Sequence, residues 1–232
     1  MRLPPDAAWP DLVAAVDERG YAVVPRLLDP AECLRLAALY ASDEAFRSRV
    51  IMARHNFGRG EYKYLRYPLP APVSALREAL YQPLAPLANR WHERLRLAPR
   101  FPASLAEYLA RCHAAGQPRP TPLILKYEAG DYNCLHQDLY GEHVFPVQAT
   151  VLLSQPGRDF KGGEFLLVEQ RPRMQSKGEV VPLAEGDAVI FAVNHRPVAG
   201  ARGFYRVKMR HGVSRLHSGR RFTLGIIFHD AA

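Results

Sequence analysis

The stretch TPLILKYEAGDYNCLHQD, Thr121 to Asp138, decides how the rest of the chain reads. Leu123 to Tyr127 is a short apolar run of strand length, Glu128-Ala129-Gly130-Asp131 is a turn, and beyond it stands His136-Gln137-Asp138. Side chains two apart on a strand point to the same side, so the His136 imidazole and the Asp138 carboxylate can converge on one point. Further apolar runs follow at Val147 to Leu153, Glu164 to Val168, Ala188 to Val193, Tyr205 to Met209 and Arg221 to Phe228. Turn signals separate them at Gln155-Pro156-Gly157, Lys161-Gly162-Gly163, Glu185-Gly186-Asp187 and Ser218-Gly219. Short strands with turns between them and no βαβ alternation predict an antiparallel sandwich or barrel over residues 121–232.

Working back toward the start, residues 1–120 read as an elaboration that packs on this core. A short amphipathic helix near Leu12 to Glu18 precedes a strand at Tyr21 to Val24. The next helix has a well-specified start. Asp29 can accept from first-turn amides, Pro30 has the φ suited to the first helical position, and Glu32 can reach back to the cap. That helix is expected to run to about Tyr40. Residues 72–97 read as helix interrupted or kinked by Pro83 and Pro86, and Ser104 to Ala114 as another helix with Leu105, Tyr108, Leu109 and Cys112 on one face. The expected class is α+β, one compact unit with a helical support layer.

At 232 residues and 48% hydrophobic, the chain is long enough and apolar enough for a sizeable core, which excludes a wholly disordered protein. No apolar run reaches the length that spans a bilayer, and the start resembles no secretory leader, so a cytoplasmic protein with no membrane attachment is expected. Cys33, Cys112 and Cys134 are few, widely spaced and odd in number, which predicts free thiols and no disulfide-linked partner. The net charge of +8 is unevenly spread, with +7 in residues 158–221 and +5 in residues 47–68. In the latter, Arg54, Arg59 and Lys63 interleave with Phe57, Tyr62, Tyr64 and Tyr67. Cations mixed with stacking surface suit single-stranded nucleic acid, although a solvated basic face has the same composition.

His136-x-Asp138 alone has an ordinary reading, a histidine hydrogen-bonded near a turn aspartate. Its context adds His211, at the end of an expected strand and followed by Gly212-Val213, with Arg221-Phe222-Thr223 ten residues on. Two imidazoles and one carboxylate that leave coordination positions open suit a non-haem ferrous ion, and zinc could use the same ligands. The planar fork of Arg221 and the hydroxyl of Thr223, two residues apart, suit a dicarboxylate. A register slipped by one would put Arg220 in that place. Arg221 is preferred because Phe222, Leu224, Ile226 and Phe228 then share the opposite, packing face.

In these residues the chain resembles the Fe(II)- and 2-oxoglutarate-dependent oxygenases built on a double-stranded β-helix, a jelly-roll related to the cupins. The resemblance covers about residues 121–230. It rests on His136-x-Asp138, Gly162-Gly163-Glu164-Phe165, Gly186-Asp187-Ala188-Val189-Ile190-Phe191, His211-Gly212-Val213 and Arg221-x-Thr223. Gly20-Tyr21-Ala22-Val23-Val24-Pro25 is similar to a segment common near the N-terminus of such oxygenases. Residues 130–141 and Glu169-Gln170-Arg171-Pro172-Arg173 look like a prokaryotic subgroup proposed to act on nucleic acid.

The resemblance implies that His136, Asp138 and His211 hold Fe(II), and that 2-oxoglutarate chelates the metal with its distal carboxylate on Arg221. Thr223 and Tyr127 would assist. Oxygen would then be consumed with release of succinate and carbon dioxide as a substrate carbon is hydroxylated; on an N-methyl group the product loses formaldehyde. Asn133 and Tyr140 flank the ligands and are expected to face substrate, and the segment 47–68, through Arg54, Arg59 and Lys63, to act as a lid or stacking platform for an extruded base. A prolyl-type protein hydroxylase shares the expected fold and ligands, but such enzymes often carry lysine at the position of Arg221. A non-catalytic β-sandwich module and a cupin-like zinc hydrolase are the more distant alternatives.

Overall fold

Alternation along single strands builds the molecule. In the long C-terminal strand, Arg221, Thr223 and Gly225 face a cleft, while Phe222, Leu224 and Ile226 face the main apolar core. The Val147–Leu152 strand repeats the pattern: Gln148 and Thr150 face the cleft, and Val147, Ala149 and Val151 the core. A strand with both faces covered cannot show a polar side to solvent, which is why this one is buried at every position.

The computed structural model describes residues 1–98 and 100–232. Its N-terminal part contains helix α1 (Trp9–Arg19), β1 (Tyr21–Val24), α2 (Pro30–Ala38), β2 (Phe46–Ile51), β3 (Gly58–Arg59), β4 (Glu61–Leu65), α3 (Ala71–Arg94) and α4 (Leu105–Ala114). The remainder is β5 (Leu123–Glu128), β6 (Tyr132–His136), β7 (Val147–Leu152), β8 (Phe160–Gly162), β9 (Phe165–Gln170), β10 (Lys177–Val181), β11 (Ala188–Ala192), β12 (His195–Gly200), β13 (Gly203–Val213) and β14 (Leu216–Ile226). A major sheet runs β1-β11-β7-β14-β5-β4-β2, with β8 also joined to β14; a minor sheet runs β10-β9-β13-β6-β3, with β12 joined to β13. The ladders between these strands are antiparallel. The two sheets enclose the cleft, and the helices cover the far face of the major one: the double-stranded β-helix with a helical layer that the sequence predicts.

The helix starts follow the expected chemistry. Glu32 donates its amide to the Asp29 carboxylate at 2.8 Å, and the Glu32 carboxylate accepts the Asp29 amide at 3.0 Å. Of the two expectations for residues 72–97, the interruption is corrected, because α3 continues through Pro83 and Pro86. A proline inside a helix costs about 3 kcal/mol. Here Leu80, Tyr81, Leu84, Leu87 and Trp91 are fully buried against the sheet and the other helices, enough apolar burial to hold the segment helical. The first 120 residues also do more than pack on a finished core: β1 closes one edge of the major sheet, and β4 and β2 extend the other.

One buried ion pair locks the helical layer to the end of the chain. Arg77 on α3 and Asp230 are 2.7 Å apart and 1% and 0% exposed. The Arg77 Nε donates to the Ile227 carbonyl at 2.8 Å, and Asp230 also accepts from the Tyr67 hydroxyl at 2.8 Å. Nearby His229 is fully buried; its Nδ1 accepts the Phe145 amide at 3.2 Å, and its Nε2 has no hydrogen-bond partner among the described residues. Burial, reinforced by the Arg77 charge, pushes the His229 pKa down to about 4.

Two predictions concern stability. Arg77→Met removes the buried cation opposite Asp230, leaving the carboxylate only the Tyr67 hydroxyl and His113, and is expected to cost about 3–5 kcal/mol in urea unfolding, part of it recovered when Asp230→Leu is added. His229 binds a proton more readily in the unfolded chain than in the folded one. Its contribution is therefore complete above pH 6.5 or so and is lost as the pH falls toward 4, a difference of about 3 kcal/mol across that window. Urea midpoints measured between those pH values should fall more steeply for the native protein than for His229→Gln.

Candidate active site

The metal-type residues come together through one register. His211 on β13 lies directly opposite His136 at the end of β6, and their ring centroids are 4.2 Å apart. Asp138, in the irregular segment just past β6, completes the group. One ligand atom from each of the three lies within 4.8 Å of the others. Asp138 Oδ2 is 3.3 Å from His211 Nε2, and Oδ1 is 3.5 Å from His136 Nε2. Gly212 permits the close approach of the two strands, since a Cβ there would sit 2.7 Å from the Asn133 carbonyl oxygen.

The surroundings fix how each group is presented. The His136 Nδ1 contacts the Cys134 carbonyl at 2.7 Å, so it carries the proton and Nε2 is left as the ligand atom. Asp138 accepts from the Tyr140 hydroxyl on Oδ1 and from Gln148 Nε2 on Oδ2, each at 2.7 Å. Burial would raise the Asp138 pKa, but hydrogen bonds and charge from His136 and His211 outweigh it and hold the carboxyl well below the usual range. Burial and the neighbouring His136 lower the pKa of His211, favouring the neutral ring a metal needs. The ionised carboxylate raises the His136 pKa against the effect of burial while His211 stays lowered, and two imidazoles with one carboxylate in this cleft fit a divalent metal.

Deeper in the same cleft is the anion site. Arg221 is 1% exposed, has no acidic partner within salt-bridge distance among the described residues, and leaves its Nε without a hydrogen bond. Its Nη1 donates to the Thr223 hydroxyl at 2.5 Å, and its guanidinium lies 5.6 Å from the Tyr127 ring centroid. The Tyr127 hydroxyl is buried too, with the Asn133 side chain beside it and no hydrogen bond of ordinary geometry among the described residues. Burial lowers the Arg221 pKa to about 10, so the group stays charged near neutrality. A buried cation without a counter-ion is costly. The donors present, a guanidinium with two hydroxyls, fit a carboxylate. Gly162 and Gly163, both at positive φ, make the turn behind it; a Cβ at Gly163 would lie 3.1 Å from Arg221 Cδ.

Most of the residues singled out from sequence line this cleft: His136, Asp138, His211, Arg221, Thr223, Tyr127, Asn133 and Tyr140. Arg220 is exposed and 3.3 Å from Glu128, so the alternative register is not the one adopted. Tyr140 holds the Asp138 carboxylate as well as lining the cleft. Arg54 and Arg59 are exposed, and Arg59 lies on β3, whose neighbour Gly58 pairs with Asn133. Lys63 is a correction. Only 7% exposed, it points to the opposite face of β4 from Tyr62 and Tyr64 and donates to the Tyr40 carbonyl and to Asp43 at 2.9 and 2.7 Å. The segment 47–68 is likewise largely strand, β2 to β4, rather than a free lid. Sequence reasoning missed Gln148, although a lone amide in the apolar run Val147 to Leu153 was a visible signal; Phe57, at the cleft and 47% exposed, was noticed only for its segment's composition.

The fold is shared with solved oxygenases at low sequence identity. A prolyl-4-hydroxylase of Pseudomonas putida superposes with a TM-score of 0.55 at 15% identity, over 94% of this chain and 96% of that one. An oxidoreductase of the 2OG-Fe(II) oxygenase family from Burkholderia pseudomallei gives 0.53 at 17% identity, over 100% and 96%. In sequence, the chain is 50% identical over 165 residues to the uncharacterized protein Rv2227 of Mycobacterium tuberculosis, 71% of each chain. Residues 60–231 match the family Oxygenase-NA, described as an oxygenase catalysing oxidative methylation of damaged DNA. A match that begins at β4 and runs through the metal-type residues to the clamped C-terminal segment makes this chain a member of the Oxygenase-NA family.

Proposed function

We propose that the protein is an Fe(II)- and 2-oxoglutarate-dependent dioxygenase that hydroxylates, or by hydroxylation demethylates, a base in nucleic acid. The observation that carries this reading is the buried, unpaired Arg221 in the same cleft as His136, Asp138 and His211. Zinc hydrolysis has no need of that cation. The nucleic-acid part is supported by membership of the Oxygenase-NA family and by the cations at the cleft rim.

When bound, the metal supplies the means to spend one O2 on two substrates: 2-oxoglutarate is decarboxylated to succinate and carbon dioxide, and the second oxygen atom enters a substrate C–H bond. His136, Asp138 and His211 would hold it. Tyr140 and Gln148 keep the Asp138 carboxylate oriented and ionised. Arg221 and the Thr223 and Tyr127 hydroxyls would receive the distal carboxylate of the co-substrate, a paired fork rather than a point charge. Leu123, Leu125, Phe165 and Phe191 wall the cleft with apolar surface and exclude water. A base must leave its stack to reach this depth. Phe57, stacked on His55 at 5.3 Å between centroids, offers a ring at the rim, and the exposed Arg54 and Arg59 flank it in sequence and would meet phosphate, Arg59 by exchanging its 3.3 Å contact with Asp131. Asn133 would meet the base edge. If the oxidised carbon is an N-methyl group, the N-hydroxymethyl product loses formaldehyde. The chemistry is carried by residues 121–232, which residues 1–120 support and rim. A cytoplasmic setting suits three free cysteines, and no described helix is long and apolar enough to cross a membrane.

Two experiments test the reading. Succinate formation with Fe(II), oxygen and 2-oxoglutarate is expected to rise when alkylated single-stranded or duplex oligonucleotides are added, and to vanish in His136→Ala; succinate no higher than in that variant would sink the enzyme class. Arg221→Gln should raise the KM for 2-oxoglutarate by about 10- to 100-fold, the worth of a charge-assisted pair, with the melting temperature little changed. An unchanged KM would remove Arg221 from the co-substrate site.

A further inference from the structure

The minor sheet divides its charges between its two faces. Phe204, Arg206, Lys208 and Arg210 alternate along β13 with Tyr205, Val207, Met209 and His211, and point away from the cleft. Phe204 is 45% exposed, Arg206 and Arg210 are exposed, and Lys208 is half-buried. Paired residues share a face, so the same outward surface carries His195, Pro197 and Ala199 from β12, Val168 and Gln170 from β9, and Gly178 and Val180 from β10. It carries no carboxylate. The acids of these strands, Glu169 and Glu179, pair with Met209 and Leu167 and so turn inward. None of Arg206, Lys208 and Arg210 has an acidic partner among the described residues. The positive field is felt locally: after burial, Arg206 and Lys208 are the groups that lower the His195 pKa.

At the β12–β13 hairpin the stripe opens into a hollow lined by Arg94, Arg96, Arg202 and Arg206 around the Phe204 ring, with the Arg94 guanidinium 4.7 Å from the ring centroid. Arg94 is balanced by Asp17 at 2.8 Å, and Arg96 and Arg202 have no such partner among the described residues. Cations two residues apart on a strand stand roughly 7 Å from one another, and the run from Phe204 to Arg210 spans roughly 20 Å. That spacing is close to the repeat of phosphates along an extended single strand. Three cations in a row on one face, without acidic partners among the described residues and with an exposed ring at one end, complement a polyanion that also offers bases to stack.

We propose that this face is a track for the backbone of single-stranded nucleic acid, in which Arg206, Lys208 and Arg210 each neutralise a phosphate and Phe204 with its arginine hollow takes the nucleotide beyond. It rests on the nucleic-acid reading above and extends it from the cleft rim to a second surface. Arg210 is the residue before His211, so the track ends next to the strand position that supplies a metal-type ligand, on the other side of the sheet.

The test is fluorescence anisotropy with a labelled single-stranded DNA of about 16 nucleotides, titrated at several salt concentrations, and a labelled dinucleotide as the short probe. Arg206→Gln, Lys208→Gln and Arg210→Gln combined should weaken binding of the long strand about tenfold or more and flatten the slope of log K against log salt by about 2. Dinucleotide binding should not change. The single charge reversal Arg206→Glu, at an exposed position, is the second variant and should weaken the long strand alone; melting temperatures equal to that of the native protein certify the fold of both. Native affinity and slope in both variants, with binding weakened in Arg54→Gln/Arg59→Gln, would overturn the track and leave the nucleic-acid reading standing. No binding of the long strand by the native protein even at low salt would overturn both.

Discussion

The Asp138 carboxylate is the constraint on which the site depends. It is buried between two imidazoles, and an ionised acid survives there only because Tyr140, Gln148 and the two histidines answer its charge. Each of those partners comes from a different place. His136 ends β6, His211 sits in β13, Gln148 in β7, and Tyr140 in the segment after the ligand itself. Both sheets must therefore be closed and in register before the carboxylate has its partners. Fold and site are one problem in this protein, and the Gly212 contact that lets β13 approach β6 belongs to both.

Two buried arginines show how the same group can be structural or ligand-binding. Arg77 is surrounded by acceptors: the Asp230 carboxylate and the carbonyls of Ile227 and His229. Its charge is answered inside the molecule, and it fastens the helical layer to the C-terminal segment. Arg221 is just as buried and has one hydroxyl, a pair of aromatic neighbours, and an Nε with nothing to bond. Burying a guanidinium that way is unfavourable unless something supplies the missing anion. The first arrangement stabilises the fold, and the second keeps a place for a carboxylate.

The minor sheet carries this division further. Its inner face has the metal-type ligands and the paired acids, and its outer face has unpaired cations and exposed apolar side chains. A sheet with one face on the core and one on solvent usually scatters both signs of charge over the solvent side. Here strand parity alone keeps the carboxylates off it.

The sequence by itself determined the local chemistry and much of the fold. The capped helix at Asp29, the strand rhythm after Thr121 and the parity that puts Arg221 and Thr223 on one side follow from neighbours within a few residues, and short-range sterics and hydrogen bonding suffice to read them. The grouping of His136 with His211 came from residue types and context and was strengthened by a resemblance, because 75 residues separate them and no local rule pairs their strands. What the tertiary structure decided is where charge ends up. Lys63 lies in a basic, aromatic segment and looks like its neighbours, yet strand parity and the packing of Tyr40 turn it inward, while Arg54 and Arg59 remain outside. Likewise α3 runs through two prolines because the core it buries outweighs their cost. Burial and pairing depend on residues far away in the chain, and for that reason no local reading of the sequence could assign them.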